Sequence, residues 1–108
     1  MARHEHLPIY KAALDLTVHF ESLVAGFSSY HKYTLATELR MASKAVLMQV
    51  LKANNADHWQ ERRSRLVELR DLIDALLLTV RVAKEVKAFK SFSRYLIIVE
   101  QVGAVARI

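Results

Sequence analysis

Two glycines and one proline in 108 residues leave almost no punctuation for tight turns. An all-β domain of this length needs many such turns, most built on residues that accept unusual backbone angles. The chain is therefore predicted to be all-α, with a few long helices and short connections. Apolar residues make up 53% of it, far more than a disordered tail carries. The length fits one domain covering residues 1–108, with a modest core that self-association would reinforce.

Hydrophobic periodicity divides the chain into four helices, at about 8–27, 34–53, 58–87 and 91–106. Pro8 suits a first helical turn, and Ile9, Ala13, Leu16, Phe20, Leu23 and Phe27 follow at steps of four and three. Gly26 and Ser28-Ser29 close this segment. Leu35, Leu39, Ala42, Val46 and Val50 form the second seam, with Thr34 as the expected N-cap and Asn54-Asn55 at the end. Asp57 and Gln60 have capping-box spacing ahead of the third helix, whose seam is Trp59, Leu66, Leu69, Ile73, Leu76, Val80 and Ala83. Ser91 is the expected cap of the fourth. Its seam is Phe92, Leu96, Val99, Gly103 and Ala106, widened by Tyr95, Ile98, Val102 and Val105. A helix apolar around so much of its circumference is buried on more than one side, and the extra side is expected to meet another subunit. Short loops between long helices imply an antiparallel up-down-up-down four-helix bundle.

Several chemistries lack their residues. With no cysteine there is no disulfide framework and no thiolate metal site. No Glu has a His three residues later, so the di-metal carboxylate pattern of helical bundles is missing. The histidines, His4, His6, His19, His31 and His58, form no i, i+4 pair. With Met1 removed, Ala2-Arg3-His4 could chelate Cu(II) or Ni(II), but affinity alone does not make a biological site. The serines lack a nucleophile elbow, and no glycine-rich phosphate cradle is present. The chain is expected not to be an enzyme, and to need no cofactor, metal or small-molecule substrate. MARHEHLPIY lacks the apolar run of a signal peptide, and the longest apolar stretches are too short to span a bilayer. A cytoplasmic location with no membrane partner is expected.

The remaining signal is cationic. The net charge is +5 and the pI about 9.7, which favours polyanionic partners. Arg81, Lys84, Lys87, Lys90 and Arg94 recur every three or four residues with only Glu85 among them, a local net of +4. Like charges at this spacing weaken an isolated helix, and a polyanion offsets that. A second row, Arg40, Lys44 and Lys52, lies on the second helix. Arg62, Arg63 and Arg65 are closely flanked by acids and read as a solvated face. The candidate nucleic-acid-binding residues are thus Arg81, Lys84, Lys87, Lys90 and Arg94, with Arg40 and Lys44, contacting phosphate rather than reading sequence.

LPIYK at 7–11, Asp15-Leu16, Phe27, YHKYTL at 30–35, Leu39 and Ala53-Asn54 resemble the four-helix-bundle family of the accessory variability determinant (Avd) proteins of diversity-generating retroelements. The same family includes proteins encoded by intervening sequences in bacterial 23S rRNA genes. The resemblance is densest over residues 7–54. Ala36 stands where relatives often carry Gly, and Ser28-Ser29 where a Pro is common. The resemblance implies a homo-pentamer of bundles that binds a reverse transcriptase and RNA or DNA, and that supports mutagenic copying of a template repeat without catalysis of its own. The other branch implies a bundle that binds structured RNA or acts as a protein-interaction module. Within YHKYTL, Thr34 is expected to cap a helix and Tyr30 and Tyr33 to pack over the bundle end. Stacking of a tyrosine on a base beside Lys32 is the alternative use.

Overall fold

The structure, a computed structural model, describes residues 7–107. Its elements are α1 (Pro8–Val24), α2 (Ser29–Lys32), α3 (Leu35–Asn54), α4 (Trp59–Glu85) and α5 (Phe92–Arg107). No strand occurs among the described residues. The four long helices match the predicted segments, their ends shifted by at most three residues. α1 packs on α3, α3 on α4, α4 on α5, and α5 back on α1. The envelope measures 44 × 22 × 21 Å. Its long dimension follows from α4, whose 27 residues span about 40 Å.

One hydrophobic cluster fills the interior. Phe20, Leu39, Leu76 and Ile98 have no exposed surface, and Leu16 has 1%. Three polar side chains also lie inside and are bonded, Ser43 through its hydroxyl to Arg40 O at 3.0 Å. Thr17 directs its hydroxyl toward Ala13 O at 2.9 Å and Ser43 O at 3.3 Å, tying α1 to α3. Gln49 donates from Nε2 to Arg65 O and to Glu68 Oε2, both at 2.9 Å, which ties α3 to α4. A buried amide whose hydrogens are both used does not incur the desolvation penalty of an orphaned one. On the outer side, His19 Nδ1 pairs with Gln101 Oε1 and links α1 to α5.

Several expectations are corrected. α1 ends at Val24, not at Phe27. The chain then turns at Ala25-Gly26, and Phe27 enters the core from beyond the helix, edge-on to Phe89 at 5.7 Å between centroids. The single helical turn α2 was not anticipated. Thr34 stands in the capping position of α3 but makes no side-chain cap bond. His58, not Asp57, precedes the first residue of α4, again without a cap bond. Trp59 is 69% exposed and Leu66 about half exposed, because the first buried side chain of α4 is Leu69. Leu66 instead rims a small apolar depression with Leu7, Ile9, Val50 and Leu69.

In α5 the buried stripe is Ile98, Val102 and Val105, with Tyr95 partly covered, which is the set assigned to widening the seam. Of the expected seam, Leu96 and Ala106 are exposed and Val99 is half-buried; the Phe92 side chain lies outside the described residues. His4, His6 and the Ala2-Arg3-His4 chelation motif also lie outside the described residues. Ser91 does cap α5, its Oγ accepting the Arg94 N–H at 3.3 Å.

Candidate nucleic-acid interface

α4 ends in a way that fixes the geometry of the basic row. The Ala88 N–H donates to Ala83 O at 2.9 Å and the Lys87 N–H to Lys84 O at 3.0 Å. These two bonds define a Schellman turn, with Val86 as C-cap and Lys87 in the left-handed conformation, φ 60°. Glycine is the usual residue at that position, because a Cβ there costs about 1 kcal/mol or more. Ala83 and Ala88 are both buried beneath the turn. Lys87→Gly is expected to stabilise the fold by about 1 kcal/mol, seen as a higher urea midpoint, while weakening polyanion binding. A residue held at a conformational cost within a basic cluster points to a use beyond folding.

The turn also creates a concavity. Lys84, Lys87, Phe89, Lys90, Ser91 and Tyr95 line a cleft of about 420 Å³ between the end of α4 and the start of α5. Phe89 forms its floor, 9% exposed and tilted against Tyr95 at 6.2 Å. Lys84 is held on two sides, by Glu85 at 3.0 Å and over the Tyr95 ring at 5.7 Å. Among the described residues, Arg81, Lys87, Lys90 and Arg94 have no carboxylate within ion-pair distance, and all four are exposed. Arg81 precedes Lys84 by one turn and Arg94 follows Ser91 on α5, so both flank the cleft without lining it.

The second row sits elsewhere. Arg40 Nε is 3.0 Å from Glu21 Oε2, and Lys44 Nζ is 3.9 Å from Glu21 Oε1. One carboxylate of α1 thus serves two cations of α3, leaving them a net +1. Arg40 shares a separate depression with Glu21, Ala25 and Lys32. The two depressions adjoin through the turn after α1: Ala25 lines one, and the Lys90 stem crosses Gly26 from the other, its Cε 2.9 Å from where a Cβ would stand. The third cluster is solvated, as its flanking acids suggest. Arg65 lies 3.9 Å from Glu61 and 3.7 Å from Glu68, and Arg62 donates to Ala56 O at 3.2 Å. Exposed pairs of this kind contribute well under 1 kcal/mol each.

The tyrosines of YHKYTL do not pack over the bundle. Tyr30 is 84% exposed and Tyr33 80%. Tyr30 meets only the edge of His31, at 4.9 Å between ring centroids, and Lys32 is exposed between them. Their position follows from α2, a single turn that projects its side chains and buries none. Exposed aromatics beside cations are the kind of surface that accepts nucleobases.

Among the described residues, no group of three or more His, Asp or Glu side chains is placed to hold a metal ion, and no helix is long and apolar enough to cross a membrane. Compared with known proteins, the chain matches no family model and no curated sequence.

Proposed function

We propose that the chain is a non-enzymatic, nucleic-acid-binding helical bundle, and that it serves as the accessory protein of a diversity-generating retroelement. In this reading it holds template RNA or nascent cDNA beside the reverse transcriptase during mutagenic copying. The observation that carries the binding claim is the group of exposed cations Arg81, Lys87, Lys90 and Arg94 around the α4–α5 cleft, with no carboxylate partner among the described residues. The accessory role rests on the resemblance of the LPIYK and YHKYTL segments to the Avd family. The helices run up-down-up-down in this reading, and copies assemble into a ring, with a pentamer expected. Exposed Leu96 and Ile97 on α5 and Leu78 and Val82 on α4 favour assembly, since each offers apolar surface that the bundle leaves uncovered. A ring repeats every basic patch, and linked contacts then act through effective concentration. Lacking any membrane-crossing helix among its described residues, it works in the cytoplasm in this reading.

The test is co-sedimentation of the purified protein with the reverse transcriptase encoded beside it, with and without template RNA. One heavy species containing a pentamer, the enzyme and RNA is expected. A protein that ignores both enzyme and RNA overturns the reading. A gene lying within an rRNA gene, with no neighbouring polymerase, assigns the chain to the structured-RNA branch instead.

A further inference from the structure

We infer that this surface takes single-stranded nucleic acid, its phosphates on Lys87 and Lys90 and its unpaired bases stacked on Tyr30 and Tyr33. The inference rests on the nucleic-acid reading above and adds the class of strand. Two independent observations carry it.

The first is the state of the tyrosines. A tyrosine that serves folding buries its ring, and these two expose more than three quarters of their surface. Both rings are largely exposed, Lys32 stands between them in sequence, and nothing on α2 is buried. Bases inside a duplex have no free face to offer such rings. A single strand has one at every nucleotide.

The second is placement. Phe27 touches Phe89, and Lys90 crosses Gly26, so the turn leading into α2 lies against the floor and wall of the basic cleft. Tyr30 follows Phe27 by three residues, at most about 11 Å along the chain. A short strand can therefore lie with a phosphate in the cleft and neighbouring bases at the tyrosines. The charge suits such a strand. With Lys84 beside Glu85, the cleft presents Lys87 and Lys90 with no carboxylate partner among the described residues, and Arg81 and Arg94 flank it, a short row that one backbone can follow.

The experiment compares a fluorescent 12-nucleotide single strand with a duplex of the same sequence by anisotropy, at one salt concentration. The wild-type protein is expected to bind the single strand at least ten-fold more tightly. Tyr30→Leu with Tyr33→Leu is expected to lower single-strand affinity by about five-fold or more per ring, to the duplex level, with the salt dependence unchanged. Tyr30→Phe with Tyr33→Phe, which keeps both faces, is expected to retain the preference. Equal affinity for both oligonucleotides, or a Leu pair within two-fold of wild type, overturns the inference while leaving phosphate binding intact. A Leu pair that instead changes the oligomer mass on sedimentation, with binding unaltered, overturns it in favour of a protein interface. If wild type binds neither oligonucleotide, the nucleic-acid reading falls as well.

Discussion

Reversing three charges together, Lys87→Glu, Lys90→Glu and Arg94→Glu, is expected to weaken RNA binding by about three orders of magnitude or more at low salt while leaving helicity unchanged. The size follows from the contacts removed. A hydrogen bond from a charged group has a net worth of about 1.5–3 kcal/mol, and three are lost and replaced by repulsion. The fold is expected to survive, because all three side chains are exposed and none has an ion-pair partner among the described residues. The control is Arg62→Glu with Arg63→Glu, which lowers net charge by four, against six for the triple variant, at a site remote from the cleft in sequence and lining. The control should lower affinity by less than ten-fold. Equal losses from both variants would mean that net charge, and not the α4–α5 corner, attracts the polyanion. Circular dichroism checks helicity and anisotropy checks affinity.

Phe20→Ala is expected to cost about 3–5 kcal/mol of folding stability. Phe20 has no exposed surface and lies in α1 between Leu16 and Leu23, both at the centre of the hydrophobic cluster. Removing its ring leaves a cavity that the rigid helices around it can only partly fill. A domain of this size has about 5–15 kcal/mol in total, so the variant loses a large part of its margin. With a slope of about 1–3 kcal/mol per molar urea, the midpoint should fall by roughly 2 M. Val18→Ala, at an exposed position two residues away on the other face of α1, should move it by less than about 0.3 M. A Phe20→Ala midpoint within 0.5 M of wild type would contradict the assignment of the α1 face.

These two predictions draw on different layers of legibility. The core of α1, α3 and the second half of α4 could be read directly. Ala13, Leu16, Phe20, Leu39, Val46, Leu69, Leu76 and Val80 recur at helical spacing. α5 could not be read the same way. Apolar residues surround it, so periodicity identifies the helix without fixing its rotation, and the buried stripe Ile98, Val102, Val105 lies beside the seam that the spacing suggests. Trp59 and Leu66 fit the period of α4 and are nonetheless exposed. Periodicity describes a helix's own surface and says nothing of where its neighbours stop.

The site was legible as a row of cations and not as a cleft. Steps of three and four from Arg81 to Arg94 suggested one face, and the actual concavity depends on the Schellman turn at Lys87, a position where a glycine would have signalled the turn and a lysine did not. The pairing of Arg40 and Lys44 with Glu21 spans about twenty residues between two helices, and local charge patterns do not reach that far. Aromatics near helix ends usually pack, and Tyr30 and Tyr33 do not. α2, too short to leave a periodic trace, turned them outward.

The salt dependence of single-stranded RNA affinity tests phosphate holding at the α4–α5 corner most directly. Four phosphate contacts, through Arg81, Lys87, Lys90 and Arg94, give a slope of log Kobs against log salt near −3, at about 0.7 per contact on a single strand. The Lys87→Glu, Lys90→Glu, Arg94→Glu protein, with one contact left, should flatten that slope to about −0.7, between −1 and zero. A wild-type slope near zero, or a slope unchanged by the three reversals, would contradict it.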